Sequence, residues 1–259
     1  MLTSGALALI LADHYGWHLT YWAMAALMLA AVGATLAAPE PDHHVVPPRS
    51  LGEAVVRPFG EYFRRDHAIA LLALVVLYKL GDAFAVSLST TFLLRGVGLS
   101  LSEIGLINKG LALAATILGA LLGGALMAKL GLFRSLLLFG VLQAVSNLTY
   151  ALLAVAGKNY VLVIAAVGLD NLAGGMGTAA FVALLMSLCD RRYNATQFAL
   201  LSAASSVGRV FVGPPSGLMV DALGWAPFFF ATFLIALPGL ALLWWLRAAL
   251  PAEARPGPA

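Results

Sequence analysis

Residues 160–188 read YVLVIAAVGLDNLAGGMGTAAFVALLMSL, and this stretch decides the fold class. Asp170 is its only charged residue, and the stretch is longer than the ~20 apolar residues that a helix needs to cross a hydrocarbon core about 30 Å thick. A transmembrane β-strand would alternate apolar and polar side chains over about ten residues, which this stretch does not do. It therefore predicts a membrane-spanning helix.

The rest of the chain has the same character. Of its 259 residues, 61% are hydrophobic and 10% are charged, whereas soluble domains are about 45–50% apolar and ~25% charged. Charged and turn residues divide the chain into eight apolar segments: Leu2–Ala12, Leu19–Ala38, Ala68–Leu94, Leu106–Ala128, Leu136–Ala156, Tyr160–Leu188, Phe198–Val220 and Pro227–Leu246. We therefore predict an all-α polytopic membrane protein.

Lys and Arg residues between these segments fall mostly on one side of the predicted bundle. Ten belong to that side, against Arg95 and Lys158 on the other. The ten are Arg49, Arg57, Arg64, Arg65, Lys129, Arg134, Arg191, Arg192, Arg247 and Arg255. Because cytoplasmic loops retain positive charge, we predict that residues 39–67 and the tail 248–259 are cytoplasmic.

The connection 39–67 marks a domain boundary. It begins with four prolines within residues 39–48 and continues as an amphipathic stretch from Leu51 to Phe63. We expect that stretch to lie along the membrane surface.

An internal repeat indicates the larger plan. Residues 13–23, DHYGWHLTYWA, and residues 221–231, DALGWAPFFFA, share an Asp-x-x-Gly-Trp turn that enters an aromatic-rich helix, and they lie 208 positions apart. That spacing has room for six helices. Residues 1–38 are then the last two helices of a first repeat, the first of them partial, and residues 68–247 are a complete second repeat. Four further helices are expected before them.

Two six-helix repeats joined by a long cytoplasmic loop resemble the plan of the major facilitator superfamily, whose halves surround a substrate site near the membrane midplane. A motif supports the resemblance. Residues 124–134, GALMAKLGLFR, are similar to the family's Gly-x-x-x-Asp-Arg/Lys-x-Gly-x-x-Arg/Lys turn, with Ala128 in place of the Asp. The resemblance implies gating-loop residues at Gly124, Lys129, Gly131 and Arg134.

Three further runs resemble the AmpG-type muropeptide permeases of that superfamily. They are residues 78–84 (YKLGDAF), 187–202 (SLCDRRYNATQFALLS) and 207–214 (VGRVFVGP), and the Arg-Arg-Tyr-x-Ala-Thr-Gln block of residues 191–197 is the most specific part. The resemblance implies an inner-membrane permease that imports anhydro-muropeptides with protons for cell-wall recycling.

Five ionisable residues lie inside the predicted spans: Lys79, Asp82, Lys109, Asp170 and Arg209. Each costs roughly 2.5–3.5 kcal/mol on insertion scales, so each needs a partner, an aqueous cavity or a function. Lys79 and Asp82 stand three residues apart on one helical face. They either neutralise each other, or they face a cavity where the carboxylate takes up a proton when the Lys moves to substrate.

Asp170 and its neighbour Asn171 precede Gly174, Gly175 and Gly177. Glycines there permit close helix contact or local unwinding near a site. Asp170 is either a buried carboxyl bonded to backbone or Ser, or a protonatable group that faces substrate, and the second reading is slightly favoured.

Arg209 precedes Gly213-Pro214-Pro215, where two prolines should kink the helix. Its guanidinium is expected either to bind a substrate carboxylate or to pair with an acidic residue of the bundle. Lys109 and the pair Gln143 and Asn147 are weaker candidates. Lys109 lies close enough to the end of its span to extend to the aqueous face, and the two amides could bond sugar hydroxyls or a neighbouring helix.

Other function classes find no support in these residues. The formal net charge is +3, with no polybasic block to attract nucleic acid. Cys189 is the single cysteine, and His14, His18 and the pair His43-His44 fall in turns or loops, so no metal cluster or nucleophile–base pair is expected at membrane depth. We predict a transporter with neither an enzymatic activity nor a cofactor.

The partners expected are a small solute, protons, the lipid bilayer and the missing helices of the same transporter. Since a midplane site needs both halves, the 259 residues are not expected to transport alone. Two alternatives stay open: a permease for another sugar-bearing or amphipathic solute, and an inactive half-bundle.

Overall fold

The computed structural model describes residues 8–38, 50–190 and 192–250, and every regular element among them is a helix. The helices are α1 Ala8–Ala37, α2 Leu51–Phe63, α3 Ala68–Tyr78, α4 Leu80–Thr91, α5 Leu101–Leu106, α6 Leu113–Leu130, α7 Leu132–Ala156, α8 Tyr160–Ser187, α9 Asn194–Phe211, α10 Gly213–Leu223 and α11 Trp225–Trp245. Short π-helical turns extend α4 and α5, at Phe92–Gly96 and Ile107–Ala112. The chain divides into two units, Met1–Pro47 and Pro48–Ala259.

Six stretches of the described residues are long and apolar enough to cross a membrane. They are Tyr15–Ala37, Ala68–Gly96, Leu101–Leu130, Leu132–Ala156, Tyr160–Ser187 and Trp225–Ala248. Each overlaps a segment that the sequence predicts. The first predicted segment, Leu2–Ala12, lies partly outside the described residues.

The seventh predicted segment, Phe198–Val220, is not one continuous helix. The structure divides it at Val212, between α9 and α10, and prolines occupy the first turn of α10. Proline lacks a backbone donor and clashes with the preceding turn, so the helix must restart there. The expected kink is therefore confirmed, and the predicted segment consists of two consecutive helices joined at that kink.

The two repeated turns share one backbone conformation. Gly16 has φ 79° and ψ 163°, and Gly224 has φ 82° and ψ 176°. Glycine adopts positive φ without steric cost, so each glycine ends one helix and redirects the chain into the next. Gly131, between α6 and α7, has the same conformation, so this geometry is that of a tight turn between consecutive helices, and the internal repeat stays a prediction from sequence.

The unit Pro48–Ala259 packs around α7, α8 and α11. Helix α8 lies between α6 and α7, and α11 packs against α3, α4 and α7. One core cluster surrounds Leu136, Leu184 and Leu243, and the other is aromatic, with Phe92 and Phe229 ring centroids 4.8 Å apart. This arrangement leaves one face of α8 open toward α4 and α9, where the candidate site lies.

Candidate functional site

A cavity of about 430 Å³ opens between α4, α8 and α9, a size within the usual range for small-molecule sites. Its lining combines cations, a carboxylate, hydroxyls and aromatic rings. The lining residues are Lys79, Asp82, Ala83, Val86, Ser87, Thr178, Phe181, Val182, Leu185, Phe198, Ser202, Ser205 and Arg209. Three predicted site residues, Lys79, Asp82 and Arg209, thus share one cavity.

Lys79 occupies the break between α3 and α4. Its Nζ lies 3.7 Å from Asp82 Oδ2 and 3.5 Å from the Thr178 hydroxyl, and it stands 5.9 Å from the centre of the Phe181 ring. The Lys79 and Asp82 side chains remain 18% and 24% exposed. The pair is therefore formed but still open to the cavity, so an incoming anion can compete for the ammonium.

Close packing against α11 positions this break. An added Cβ at Gly81 would lie 2.7 Å from the Ala236 Cβ, and one at Gly239 would lie 2.7 Å from the Leu77 carbonyl oxygen. Only small residues allow backbones to approach this closely. The contact holds both sides of Lys79 against α11 and leaves its side chain directed at α8.

Arg209 brings a second cation to the cavity from α9. Its side chain is exposed, and in the part of the chain that the structure describes it forms no ion pair. The structural alternative for Arg209 is an ion pair with Asp82 or Asp170. The described conformation contains neither pair. The guanidinium is available for a planar carboxylate.

Asp170 lies apart from the cavity lining and is buried between α7 and α8. One carboxylate oxygen accepts from the Ser146 hydroxyl at 3.2 Å, and the other accepts from the Tyr150 hydroxyl at 3.4 Å. Lys79 and Asp82 are the charged groups that act on it electrostatically. The structure therefore has the buried, Ser-bonded carboxyl, and the substrate-facing arrangement is absent from this conformation.

The other amide candidates also face neighbouring helices. Asn171 donates to the Val167 carbonyl at 2.9 Å and accepts from Thr116 on α6 at 3.2 Å. Gln143 lies against α8, where its Oε1 would be 2.9 Å from a Cβ added at Gly177. Asn147 is buried, and its amide nitrogen and oxygen have no hydrogen-bond partner among the described residues. None of the three lines the cavity.

The motif of residues 124–134 forms the turn between α6 and α7. Gly131 separates the two helices with φ 82°, and Lys129 and Arg134 are exposed beside it. Gly124 faces open space. The Lys109 side chain lies outside what the structure describes, as do those of His14, His43 and His44.

Apart from Arg209, sequence reasoning did not identify the side chains that α8 and α9 contribute to the cavity. Thr178 and Phe181 are separated from Lys79 by about a hundred positions in the chain. A helical pattern could have indicated them, since residues 178, 181, 182 and 185 repeat at the three- and four-residue spacing of one helix face. Ser202, Ser205 and Arg209 repeat in the same way along α9.

Six membrane-length apolar stretches among the described residues, with a polar cavity beside several of them, are the features of a multi-span membrane protein. The chain belongs to the Major Facilitator Superfamily, whose family model matches residues 1–169 and, a second time, residues 71–259. The predicted fold class is thereby confirmed.

Similar proteins carry more particular names. The anhydromuropeptide permease of Escherichia coli K12 is 56% identical over 244 residues, which cover 94% of this chain and 50% of that protein. The putative transporter AmpG 4 of Rickettsia conorii is 32% identical over 254 residues, covering 95% of this chain and 61% of that protein. The chain thus spans about half the length of the E. coli relative. Both names are those of transporters, which agrees with the prediction of a non-enzymatic protein.

Proposed function

We propose that this chain forms part of a secondary transporter that imports anhydro-muropeptides across the inner membrane for cell-wall recycling. The observation that carries the proposal is the cavity that joins Lys79, Asp82 and Arg209, in a chain 56% identical to a protein named anhydromuropeptide permease. In this proposal residues 68–247 supply one six-helix half of the transporter and residues 1–38 supply the last two helices of the other.

The chemistry of the cavity suits such a solute. A muropeptide combines sugar rings with peptide carboxylates. Lys79 and Arg209 offer two cations for carboxylates, the rings of Phe181 and Phe198 offer apolar surfaces, and Ser202 lies among the hydroxyls that can bond to sugar oxygens. Bidentate bonding to a carboxylate favours Arg over Lys, so Arg209 is assigned the peptide portion.

A chimera tests this assignment. The segment of the E. coli permease that aligns with this chain is replaced by residues 1–259, and uptake of labelled anhydro-muropeptide is measured in vesicles from cells without their own permease. The chimera should accumulate the solute, and the 259 residues alone should not, because a site between two halves needs surfaces from both. A folded chimera that accumulates only other sugar-bearing solutes would refute the assignment of anhydro-muropeptide as the substrate. Uptake by the 259 residues alone would refute the division into halves.

We assign proton coupling to Asp170, a carboxyl buried between α7 and α8. In the chimera, Asp170→Asn should lose accumulation driven by a pH gradient but retain exchange of labelled for unlabelled solute, since Asn keeps hydrogen bonding and cannot carry a proton. Ser146→Ala is the control, because it removes one hydrogen bond and leaves the carboxyl. If the Asp170→Asn chimera accumulates as much solute under a pH gradient as the unmodified chimera, Asp170 is excluded as the proton carrier. The Lys79 and Asp82 pair is then the next candidate.

The charge asymmetry of the connections assigns the orientation. Residues 39–67, 129–135, 190–197 and the tail 248–259 are assigned to the cytoplasm, and Lys158 to the periplasm. After Cys189→Ser, single cysteines at Lys158 and Arg192 are treated with a membrane-impermeant thiol reagent in intact cells with a permeabilised outer membrane. Lys158→Cys should react and Arg192→Cys should not. The reverse pattern would overturn the orientation.

A further inference from the structure

One side of α7 carries a row of polar residues in the interior of the bundle. The row consists of Gln143, Ser146, Asn147 and Tyr150, whose three- and four-residue spacing places them on one face of the helix. All four are buried. Asp170 of α8 faces this row, since its carboxylate contacts the Ser146 and Tyr150 hydroxyls. The contact between α7 and α8 therefore contains a polar layer inside an otherwise apolar protein.

Two amides of this row are incompletely bonded. The Asn147 amide nitrogen and oxygen and the Gln143 amide nitrogen are buried and have no hydrogen-bond partner among the described residues. A buried polar group left unpaired costs about 1–3 kcal/mol. These atoms lie about one helical turn apart along α7, so a small ligand between the two helices can bond to them together.

The chemistry of these atoms favours water as the ligand. Two of them are amide nitrogens that donate, and one is a carbonyl oxygen that accepts. Water both accepts and donates, and a buried water typically forms about three hydrogen bonds to such groups. A cation would bond to the Asn147 oxygen and leave both amide nitrogens unpaired.

The Asp170 carboxylate has capacity for a further donor. Its contacts with the Ser146 hydroxyl at 3.2 Å and the Tyr150 hydroxyl at 3.4 Å are long for bonds between oxygens. Ser146 has one hydroxyl proton, and its oxygen lies closer to the Gln143 carbonyl, at 2.8 Å. Water bonded to Asn147, the residue after Ser146, would supply the donor that the carboxylate lacks.

A glycine of α8 leaves space beside the row. A Cβ added at Gly174 would lie 3.7 Å from the Gln143 amide nitrogen, and apart from nearby atoms of α8 this is the only atom of the described residues within 4 Å of it. Gly174 is half-buried, and Thr178, one turn further along α8, is exposed and lines the cavity. Asp170 and Thr178 are about 12 Å apart along the helix axis, and Gly174 lies midway between them.

We propose, on the basis of the proposed function, that Gln143 and Asn147 bind ordered water between α7 and α8, and that this water links the Asp170 carboxyl to the cavity at Thr178. Asp170 then exchanges its proton without moving to the cavity. The carboxylic acid gives its proton to a water oxygen, and that water passes one of its own protons on toward the cavity, where Asp82 accepts it. Gln143 and Asn147 are positioning residues, because they hold the water and exchange no proton themselves.

X-ray radiolysis of the full 259-residue chain in detergent tests for the water. X-rays convert bound water to hydroxyl radicals, which oxidise a neighbouring tyrosine, and mass spectrometry measures the oxidised fraction. Tyr150 is 2% exposed, so its oxidation reports bound water. Asn147→Leu keeps the side-chain volume but removes both polar atoms, and should lower Tyr150 oxidation at least about threefold. Ser135→Ala is the matched control, because it removes another buried α7 group that lacks a partner among the described residues, and should leave that oxidation unchanged.

Three outcomes would overturn the proposal. Absence of Tyr150 oxidation in the unmodified chain would show a dry contact, and equal oxidation in the Asn147→Leu chain would separate the water from Asn147. A change on replacing Na⁺ by choline would assign the oxygen atoms to a cation. If Asn147→Leu does not fold, Gly174→Ala should lower the oxidation instead, because its methyl group fills the space beside Gln143. These measurements require neither uptake nor proton coupling, so they remain valid if the proposed function fails.

The chimera tests the link between the water and the cavity. Gly174→Ala should lower accumulation driven by a pH gradient at least about fivefold and retain exchange of labelled for unlabelled solute, since only proton transfer is interrupted. Gly168→Ala is the matched control, because its methyl group would also lie at ordinary contact distance, 3.8 Å from Leu111 Cδ1, and should retain both activities. Full gradient-driven accumulation by the Gly174→Ala chimera would refute the link. An unmodified chimera without uptake would refute the proposed function, and the radiolysis would still decide whether Gln143 and Asn147 bind water.

Discussion

Two faces of α8 have different roles: one packs closely against α6, and the other lines the cavity. Toward α6, Gly123 is so close to Met176 that an added Cβ would lie 2.7 Å from the Met176 Cα. Toward α4 and α9, Thr178, Phe181 and Val182 line an open cavity. On one face of α8 the contact with α6 has no room for an added methyl group. On another face, more than a third of a turn away around the helix axis, α8 has room for a ligand.

This difference indicates that one face of α8 holds the helix in place and that another face is available to a solute. In lipid the hydrophobic effect does not drive helices together, so association depends on close packing of small residues. The α6–α8 contact supplies that packing and contains no ionisable group of the cavity. Helix α8 is held firmly from one side, and its other side can exchange contacts with a solute.

The largest effect is expected on the packed face. Gly123→Ala should lower the stability of the protein by at least about 2 kcal/mol, because backbone atoms of α8 must move to admit the methyl group. The adjacent Gly124→Ala faces open space and should leave stability equal or raise it by up to about 1 kcal/mol through helix propensity. Thermal unfolding in detergent, followed by size-exclusion chromatography, measures both. Equal changes in unfolding temperature for the two variants would show that α6 and α8 do not pack against each other through Gly123.

A smaller effect on stability and a clear effect on transport are expected at the cavity. Lys79→Gln should reduce uptake by the chimera at least about tenfold, while the folded fraction is retained, since the pair with Asp82 is partly solvated. Lys158→Gln is the matched control, because Lys158 also stands 3.7 Å from its partner, Glu103, but outside the cavity. Similar losses in both variants would indicate a general electrostatic effect and separate Lys79 from substrate binding.

The smallest effect is expected at Thr178. Its hydroxyl is 3.5 Å from the Lys79 ammonium, a long contact. Thr178→Ala should raise the apparent KM for uptake about threefold or less, and Thr178→Ser should restore it, because the hydroxyl is retained. Concentration dependence of initial uptake rates provides the measurement. Failure of Ser to restore KM would assign the effect to the lost methyl group.

Local signals in the sequence predicted the elements well. Helix α2 has the predicted bounds, Leu51 and Phe63, and begins where the Ser50 hydroxyl accepts from the Glu53 N–H at 3.2 Å. Small residues at four-residue spacing in α6, Ala115, Gly119 and Gly123, are buried, as their periodicity indicates. These features depend on residues within a few positions of each other, so a single sequence contains the information.

Contacts between distant helices were not predictable in the same way. Ala120, Gly124 and Ala128 have the same four-residue spacing in α6, yet Gly124 faces open space. The Arg-Arg-Tyr-x-Ala-Thr-Gln block indicated a resemblance, but its Gln197 bonds to Pro58 and Glu61, over 130 positions away. Periodicity in the sequence indicates which face of a helix carries apolar or small residues. Which other helix packs against that face depends on the three-dimensional fold.

The division of α9 and α10 at Val212 has a consequence for how the protein is made. The segment from Asn194 to Leu223 contains Arg209 and is absent from the six stretches of the described residues that are apolar enough to span a membrane by themselves. A translocation channel releases helices into lipid according to their composition, so this segment needs neighbours to leave the channel. Helix α10 packs against α4 and α11, and α11 is synthesised after it. Helices α3, α4 and α8, which precede the segment in the chain, also pack against α9, so these earlier helices and α11 together supply the contacts that hold the segment in the bundle.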